Sequence, residues 1–292
     1  MINYACQNQN SMSSESEYTT VQDMQTITDM MSPPDLQLSI DMGISLDLDF
    51  SMDMLTSLDM NHPLDRSVIN EVDAFQRDLP PAPAHVPQFC FPILASDISS
   101  ILEAPIIGVD HDRQEQNQAT ACLSHDGLSF PHCYDQHRGN DFLLAGGFDT
   151  MDEGSAHIVA AADGIILAVE DGHYDRCHAD LGSLDVSCDG YPVRANYVKI
   201  QHEIGWQTWY YHFKKDSIMV ENGQSVKAGD LLGLVGSSGR SAMPHLHFEI
   251  RDDTNQFWDP FAGEYSQDFS LWITEGRFLP VSLCPSINRN GL

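Results

Sequence analysis

From about residue 89 onward the chain is a succession of short apolar runs separated by glycine-containing turns, and this rhythm limits its fold most. "HIVAAADGIILAVED" (157–171) sets two apolar runs about Asp163-Gly164, a hairpin or turn signal. "NYVKIQHE" and "WQTWYYHF" are strand-like runs parted by Ile204-Gly205. "VENGQSVKAGDLLGLVGSSGRS" (220–241) repeats shorter runs about Asn-Gly and Ala-Gly-Asp turns. Runs this short, with no helical periodicity, predict an all-β domain, a compact antiparallel sandwich or barrel.

The first 80 residues are unlike this. They hold fourteen Asp and Glu against two Arg, nine of the twelve Met, and almost no Gly. Such a composition cannot bury a core, so a mostly disordered acidic tail is expected over residues 1–88, its end the Pro-rich linker "DLPPAPAHVP" (78–87). The remainder, 89–292, is expected to form the folded domain. Within the tail, "LDLDFSMDM" (46–54) alternates apolar and acidic residues. It reads as a solvated tether, or alternatively as a strand that docks on the downstream domain.

The whole chain carries 43 acids and 14 bases, a net charge of −29, which repels phosphate backbones and argues against nucleic-acid binding. No run approaches the eighteen apolar residues that a transmembrane helix needs. Six of the seven Cys lie in the β region. Cys122 and Cys133 flank one polar loop, Cys177 and Cys188 another, and Cys90 and Cys284 stand near the domain's two ends. Those three pairs are the expected disulfides among the fifteen connectivities that six cysteines allow. No C-x-x-C is present, so a structural zinc ribbon is excluded and an oxidising, extracytoplasmic location is expected. No signal sequence is visible at the start, "MINYACQNQNSMSSESE". A lipid-modified Cys6 would suit a tether, although Asn3 stands where such signals carry an apolar residue.

"MPHLHFEIR" (243–251), read as a strand, points His245, His247 and Glu249 to one face and Leu246, Phe248 and Ile250 to the other. An H-x-H pair by itself is met by hydrogen-bonded histidines on a half-buried strand. Two other stretches add partners. "QHRGNDF" sets His137 and Asp141 four apart about Gly139, and "WYYHF" carries His212. Four imidazoles and a carboxylate are more donors than catalytic zinc uses, since it takes three protein ligands and keeps a fourth position for water. His245 and His247 have Cα atoms about 6.6 Å apart on a strand. One as ligand with the other beside the water is therefore the easier geometry, and the surplus imidazoles are left for proton transfer or oxyanion stabilisation.

In chain order "HRGND", "YYHF", "GDLLGLVGSSGRS" and "HLHFE", followed by "WDPF" (258–261), resemble the lysostaphin/LytM-type zinc metallopeptidases, bacterial cell-wall endopeptidases. The resemblance spans about residues 131–261. It implies a duplicated-hybrid-motif β fold, zinc held by His137, Asp141 and His247, and His212 and His245 as catalytic non-ligands. By that similarity zinc polarises the scissile carbonyl and activates a water, and the substrate is a peptidoglycan stem or cross-bridge peptide. Which of His212 and His245 is the base stays open, as does the oligomeric state. Glu249 is either a partner that orients an imidazole or an exposed strand carboxylate.

Three further stretches bear on the reading. "GHYDRCHADLGSLDVSCDGYPVRA" (172–195) is a disulfide-clipped insertion that departs from the minimal family pattern. Trp206, Trp209, Tyr210 and Tyr211 line a groove or pack the core. His132 precedes Cys133 outside the motif and reads as a loop residue. The alternative function is a catalytically inactive LytM-type factor that binds wall or activates an amidase, but such members lack ligand residues, and here all five positions are filled. A biotinyl or lipoyl carrier, suggested by "GQSVKAGDLLGLVG", is excluded by the absence of Lys from the turn "SSGRSAMPH".

Overall fold

The computed structural model describes residues 79–284, apart from 104–106, 113, 115, 181–184, 277–279 and 281–282. Most of the acidic tail, including the alternating 46–54 segment and Cys6, lies outside the described residues.

Nine strands carry the fold: β1 Asn140–Leu143, β2 His157–Val159, β3 Gly164–Glu170, β4 Tyr197–Gln201, β5 Gln207–Tyr211, β6 Ser225–Val226, β7 Leu231–Leu234, β8 His245–Arg251 and β9 Phe257–Trp258. All pair antiparallel. The main sheet runs β1-β8-β5-β4-β3-β6, and β9 pairs with β8 beyond the end of β1. β2 and β7 form a separate two-stranded sheet. The all-β expectation therefore holds among the described residues, which besides two short 3-10 helices have one α-helix, α1 (Phe148–Glu153), ended by Gly154 in the left-handed conformation.

The two runs of 157–171 do not form a hairpin. β2 pairs with β7, whereas β3 pairs with β4 and β6, so Asp163-Gly164 passes the chain from one sheet to the other. Asp163 is committed to that crossing: its carboxylate accepts from the Ala228 N–H and from Lys227 Nζ. The Ile204-Gly205 turn does join a hairpin, β4–β5, with Ile204 at φ 59° and Gly205 at φ 82°.

Period-two patterning sorts the main sheet. Leu246, Phe248 and Ile250 of β8, Tyr210 of β5 and Val198 and Ile200 of β4 are fully buried on one face. They pack against Phe89, Phe91, Phe142 and Trp272, with Trp272 stacked on Phe248 at a centroid distance of 5.7 Å. Each such side chain contributes about 1.5–3 kcal/mol on leaving water. The Tyr210 hydroxyl is satisfied in the core by the Ala161 N–H and the Thr208 hydroxyl.

All three expected disulfides form: Cys90–Cys284, Cys122–Cys133 and Cys177–Cys188. Cys90–Cys284 joins residues 194 positions apart, which in the chain-entropy account stabilises the fold by about 5 kcal/mol. Among the described residues no helix is long and apolar enough to cross a membrane.

Candidate metal centre

The face of β8 opposite the core carries the chemistry. Because side chains alternate, His245, His247, Glu249 and Arg251 point the same way, and all four are buried. The β1 register sets Asp141 opposite His247 and Leu143 opposite His245, so β1 adds a carboxylate to the same face. β5 sets Tyr211 opposite His247 and Trp209 opposite Glu249. His137 enters from the loop just before β1. A Cβ on Gly139 would lie 2.6 Å from the Phe248 carbonyl oxygen and 2.9 Å from the His247 ring. Only glycine lets this loop pass so close to β8.

Three donor atoms meet here. His137 Nε2 lies 3.0 Å from His247 Nδ1 and 3.1 Å from Asp141 Oδ1, and His247 Nδ1 lies 2.8 Å from the same oxygen. The far sides of both rings decide their tautomers. His137 Nδ1 donates to the Gly108 carbonyl at 2.7 Å, which leaves a lone pair on Nε2. His247 Nε2 donates to Glu249 Oε1 at 3.0 Å, which leaves a lone pair on Nδ1. Two imidazole lone pairs and a carboxylate oxygen thus converge on one point. That donor set fits a divalent metal, and these residues are the one group among the described residues whose ligand atoms all lie within 4.8 Å of each other.

The electrostatics agree. Burial opposes a charge on His247, yet its hydrogen bonds to Asp141 and Glu249 push it up to about 10. Burial also opposes charge on Asp141, but the imidazoles of His137 and His245 hold its carboxyl well below the usual carboxylate range. The cluster favours positive charge at its centre: without a metal, a second proton on His247 Nδ1 toward Asp141 supplies it, and a metal ion at that point would take the proton's place.

The two remaining imidazoles flank the cluster. His212 closes β5 with φ 69°, a backbone region costly for a non-glycine residue. Its Nδ1 donates to the Ser238 carbonyl at 2.6 Å. The Ser238 hydroxyl in turn accepts from the backbone N–H of buried Asn196, whose side chain binds the main chain of His173 and Phe213. Burial, followed by the neighbouring His245 and His247, lowers His212 well below the ordinary imidazole value, so it is neutral at pH 7. His245 packs on His212 at 4.6 Å between centroids, and its Nδ1 donates to the Met243 carbonyl at 2.7 Å. Its Nε2 is buried without a hydrogen-bond partner and lies 3.4 Å from Asp141 Oδ1.

A cavity of about 490 Å³ opens over these groups. One wall holds Phe130 and Tyr134, around the loop closed by Cys122–Cys133. The other holds Val186 and Val193 from the insertion clipped by Cys177–Cys188. The aromatic cluster of β5 divides: Tyr210 and Trp206 are core, Tyr211 lines the cavity, and Trp209 shares its face. His132 stays in its loop, where its carbonyl accepts from Gly108 N–H.

All five sequence-derived positions therefore gather in one place. Four groups that hold them were not read from the sequence. Strand alternation alone puts Arg251 on the Glu249 face, so that signal was available. Tyr134 stacks on His137 at 4.1 Å, and the carbonyls of Gly108 and Ser238 orient rings 29 and 26 positions away, with no local pattern to mark them.

Residues 137–260 match the sequence profile of the family described as peptidase family M23. Peptidoglycan DD-endopeptidase ShyA of Vibrio cholerae is 45% identical over 60 residues, 20% of this chain and 14% of that protein. Protease LasA of Pseudomonas aeruginosa is 43% identical over 61 residues, 18% of this chain and 14% of LasA. This chain thus spans about a seventh of the length of these relatives. Among solved structures, the catalytic domain of lysostaphin from Staphylococcus simulans is 24% identical, covering 46% of this chain and 82% of that one, with a TM-score of 0.29.

Proposed function

We propose that the chain, whose residues 137–260 match the profile of peptidase family M23, is a zinc-dependent endopeptidase that hydrolyses peptide bonds in peptidoglycan stem or cross-bridge peptides. The observation that carries this is the convergence of His137 Nε2, Asp141 Oδ1 and His247 Nδ1 with both ring tautomers set by acceptors behind them. Zinc held by His137, Asp141 and His247 would supply a Lewis acid for the scissile carbonyl and would acidify a water nucleophile.

The chain's own residues then divide the proton work. His212, neutral and with Nε2 turned away from its Ser238 partner, is suited to take a proton from the attacking water. His245 has given its Nδ1–H to Met243 and so turns a partnerless Nε2 lone pair to the site; it is suited to take up a proton there and, once doubly protonated, to donate it toward the oxygen where negative charge develops. The carbonyls of Ser238 and Met243 keep both rings in fixed tautomers, so neither needs to reorganise during the reaction. The cavity of about 490 Å³ over these groups leaves room for a peptide substrate.

The same reading extends to the rest of the chain. Residues 89–292 are assigned on this reading as the peptidase domain, while the tail and linker expected over 1–88 fall almost wholly outside the described residues. The three disulfides suit an extracytoplasmic setting in the cell envelope. Filled positions at all five sites weigh against an inactive wall-binding factor. Mass spectrometry of muropeptides released from defined walls tests the proposal. A zinc-loaded chain should release peptides cut at one bond type, and His247→Ala should release none. A zinc-loaded chain that leaves every wall intact would overturn it.

A further inference from the structure

Beyond the three ligands, β8 carries a row of groups that the reaction itself does not use. Glu249 Oε1 accepts from His247 Nε2 at 3.0 Å, while its other oxygen, Oε2, accepts from Arg251 Nε at 2.7 Å and lies 2.6 Å from Arg251 Nη2. Arg251 is committed on its remaining sides. Nη1 donates to the Asn255 carbonyl at 3.1 Å, and the guanidinium lies 3.9 Å from the Trp209 ring centroid. Lys199 Nζ lies 3.6 Å from the same ring. Glu249 and Arg251 are both buried. A buried, doubly bonded ion pair of this kind is costly to desolvate.

We infer that Glu249, clamped by Arg251, is a positioning residue that holds the proton of His247 on Nε2 and so keeps Nδ1 free as the metal donor. This rests on the proposed zinc site and deepens it. The reason lies in donor and acceptor counts. A neutral imidazole carries one N–H, and a carboxylate only accepts, so Glu249 obliges Nε2 to be the donor. Arg251 only donates, which keeps both Glu249 oxygens occupied as acceptors and prevents the carboxylate from turning away. The hydrogen bond also raises the basicity of the donor nitrogen.

The inference makes an unusual demand on Glu249→Gln. An amide beside Arg251 will turn its oxygen to the guanidinium and its NH₂ to His247. His247 Nε2 must then accept, the ring proton moves to Nδ1, and the metal loses a ligand. Removing Arg251 as well frees the amide to turn back.

The test is zinc affinity of the metal-free full chain, measured by competition with a chromophoric chelator. Absorption of the cobalt(II)-loaded chain reports the ligand count. E249Q should bind zinc about 10–100-fold more weakly and show an altered cobalt band. E249Q/R251M should regain part of that affinity. E249D keeps the charge beside Arg251 but falls short of His247 Nε2, so it should also weaken zinc if E249Q does not fold. E249Q or E249D binding zinc like the native chain overturns the inference alone. So does a double variant whose loss is the sum of the single losses, since packing would explain that. A native chain that takes up no zinc overturns the functional proposal and this inference with it.

Discussion

His137 Nε2 and His247 Nδ1 stand 3.0 Å apart although 110 positions separate them in the chain. Each ring gives an N–H to an acceptor on its other side, so the facing nitrogens need positive charge between them, which without a metal is a second proton on His247 Nδ1. The arrangement is comfortable only with a cation between them. Stripping the metal with a chelator should therefore lower Tm, and zinc at about 100 times its Kd should restore about 2.7 kcal/mol. For a domain of this size that corresponds to roughly 5–10 °C. Calorimetry with and without chelator checks this; superimposable transitions would contradict a metal at this point.

The ligands and the flanking imidazoles should separate cleanly. His212→Ala and His245→Ala should each keep one equivalent of zinc and lose activity by about 10²–10⁴-fold in kcat. Asp141→Ala should lose the zinc itself. Metal analysis beside steady-state kinetics on one preparation distinguishes the two groups.

The pH profile follows from His212. Its folded value is below the ordinary 6.5, first because of burial and then because of His245 and His247. The neutral form accepts the proton, so activity is present above the folded pKa and lost as pH falls through it. The acid limb of kcat/KM should accordingly lie below pH 6.5, and His212→Ala should remove it. An acid limb above pH 6.5 would rule out His212 as the base.

Gly139→Ala tests the approach of the His137 loop to β8. The new methyl would sit 2.6 Å from the Phe248 carbonyl and 2.9 Å from the His247 ring, with backbone and a buried ring as neighbours. Overpacking of this kind costs about 1–3 kcal/mol and should displace His137 from the site. Denaturant unfolding and zinc titration should both register it.

Much of the site was legible in the sequence because strands obey a two-residue period. "HLHFEIR" places His245, His247 and Glu249 on one face from alternation alone, and Arg251 follows by the same rule. The short loop about Gly139 likewise puts His137 near Asp141. The aromatic run of β5 was only half legible, since alternation separates Tyr210 from Tyr211 but does not say which face meets the core. Asp163-Gly164 misleads for a related reason. A turn signal records that the chain reverses; the strand that β3 then pairs with is settled by distant β4 and β6.

By itself the sequence marked out an all-β domain, the three cysteine pairs to expect and the five side chains that gather in the site. Only the tertiary structure decided how those residues work together. It set β1 beside β8, placed the Gly108 and Ser238 carbonyls behind His137 and His212, and closed Arg251 onto Glu249. Side-chain periodicity is written in neighbouring residues, whereas strand pairing and the tautomer of a buried imidazole depend on partners that the chain meets only after it has folded.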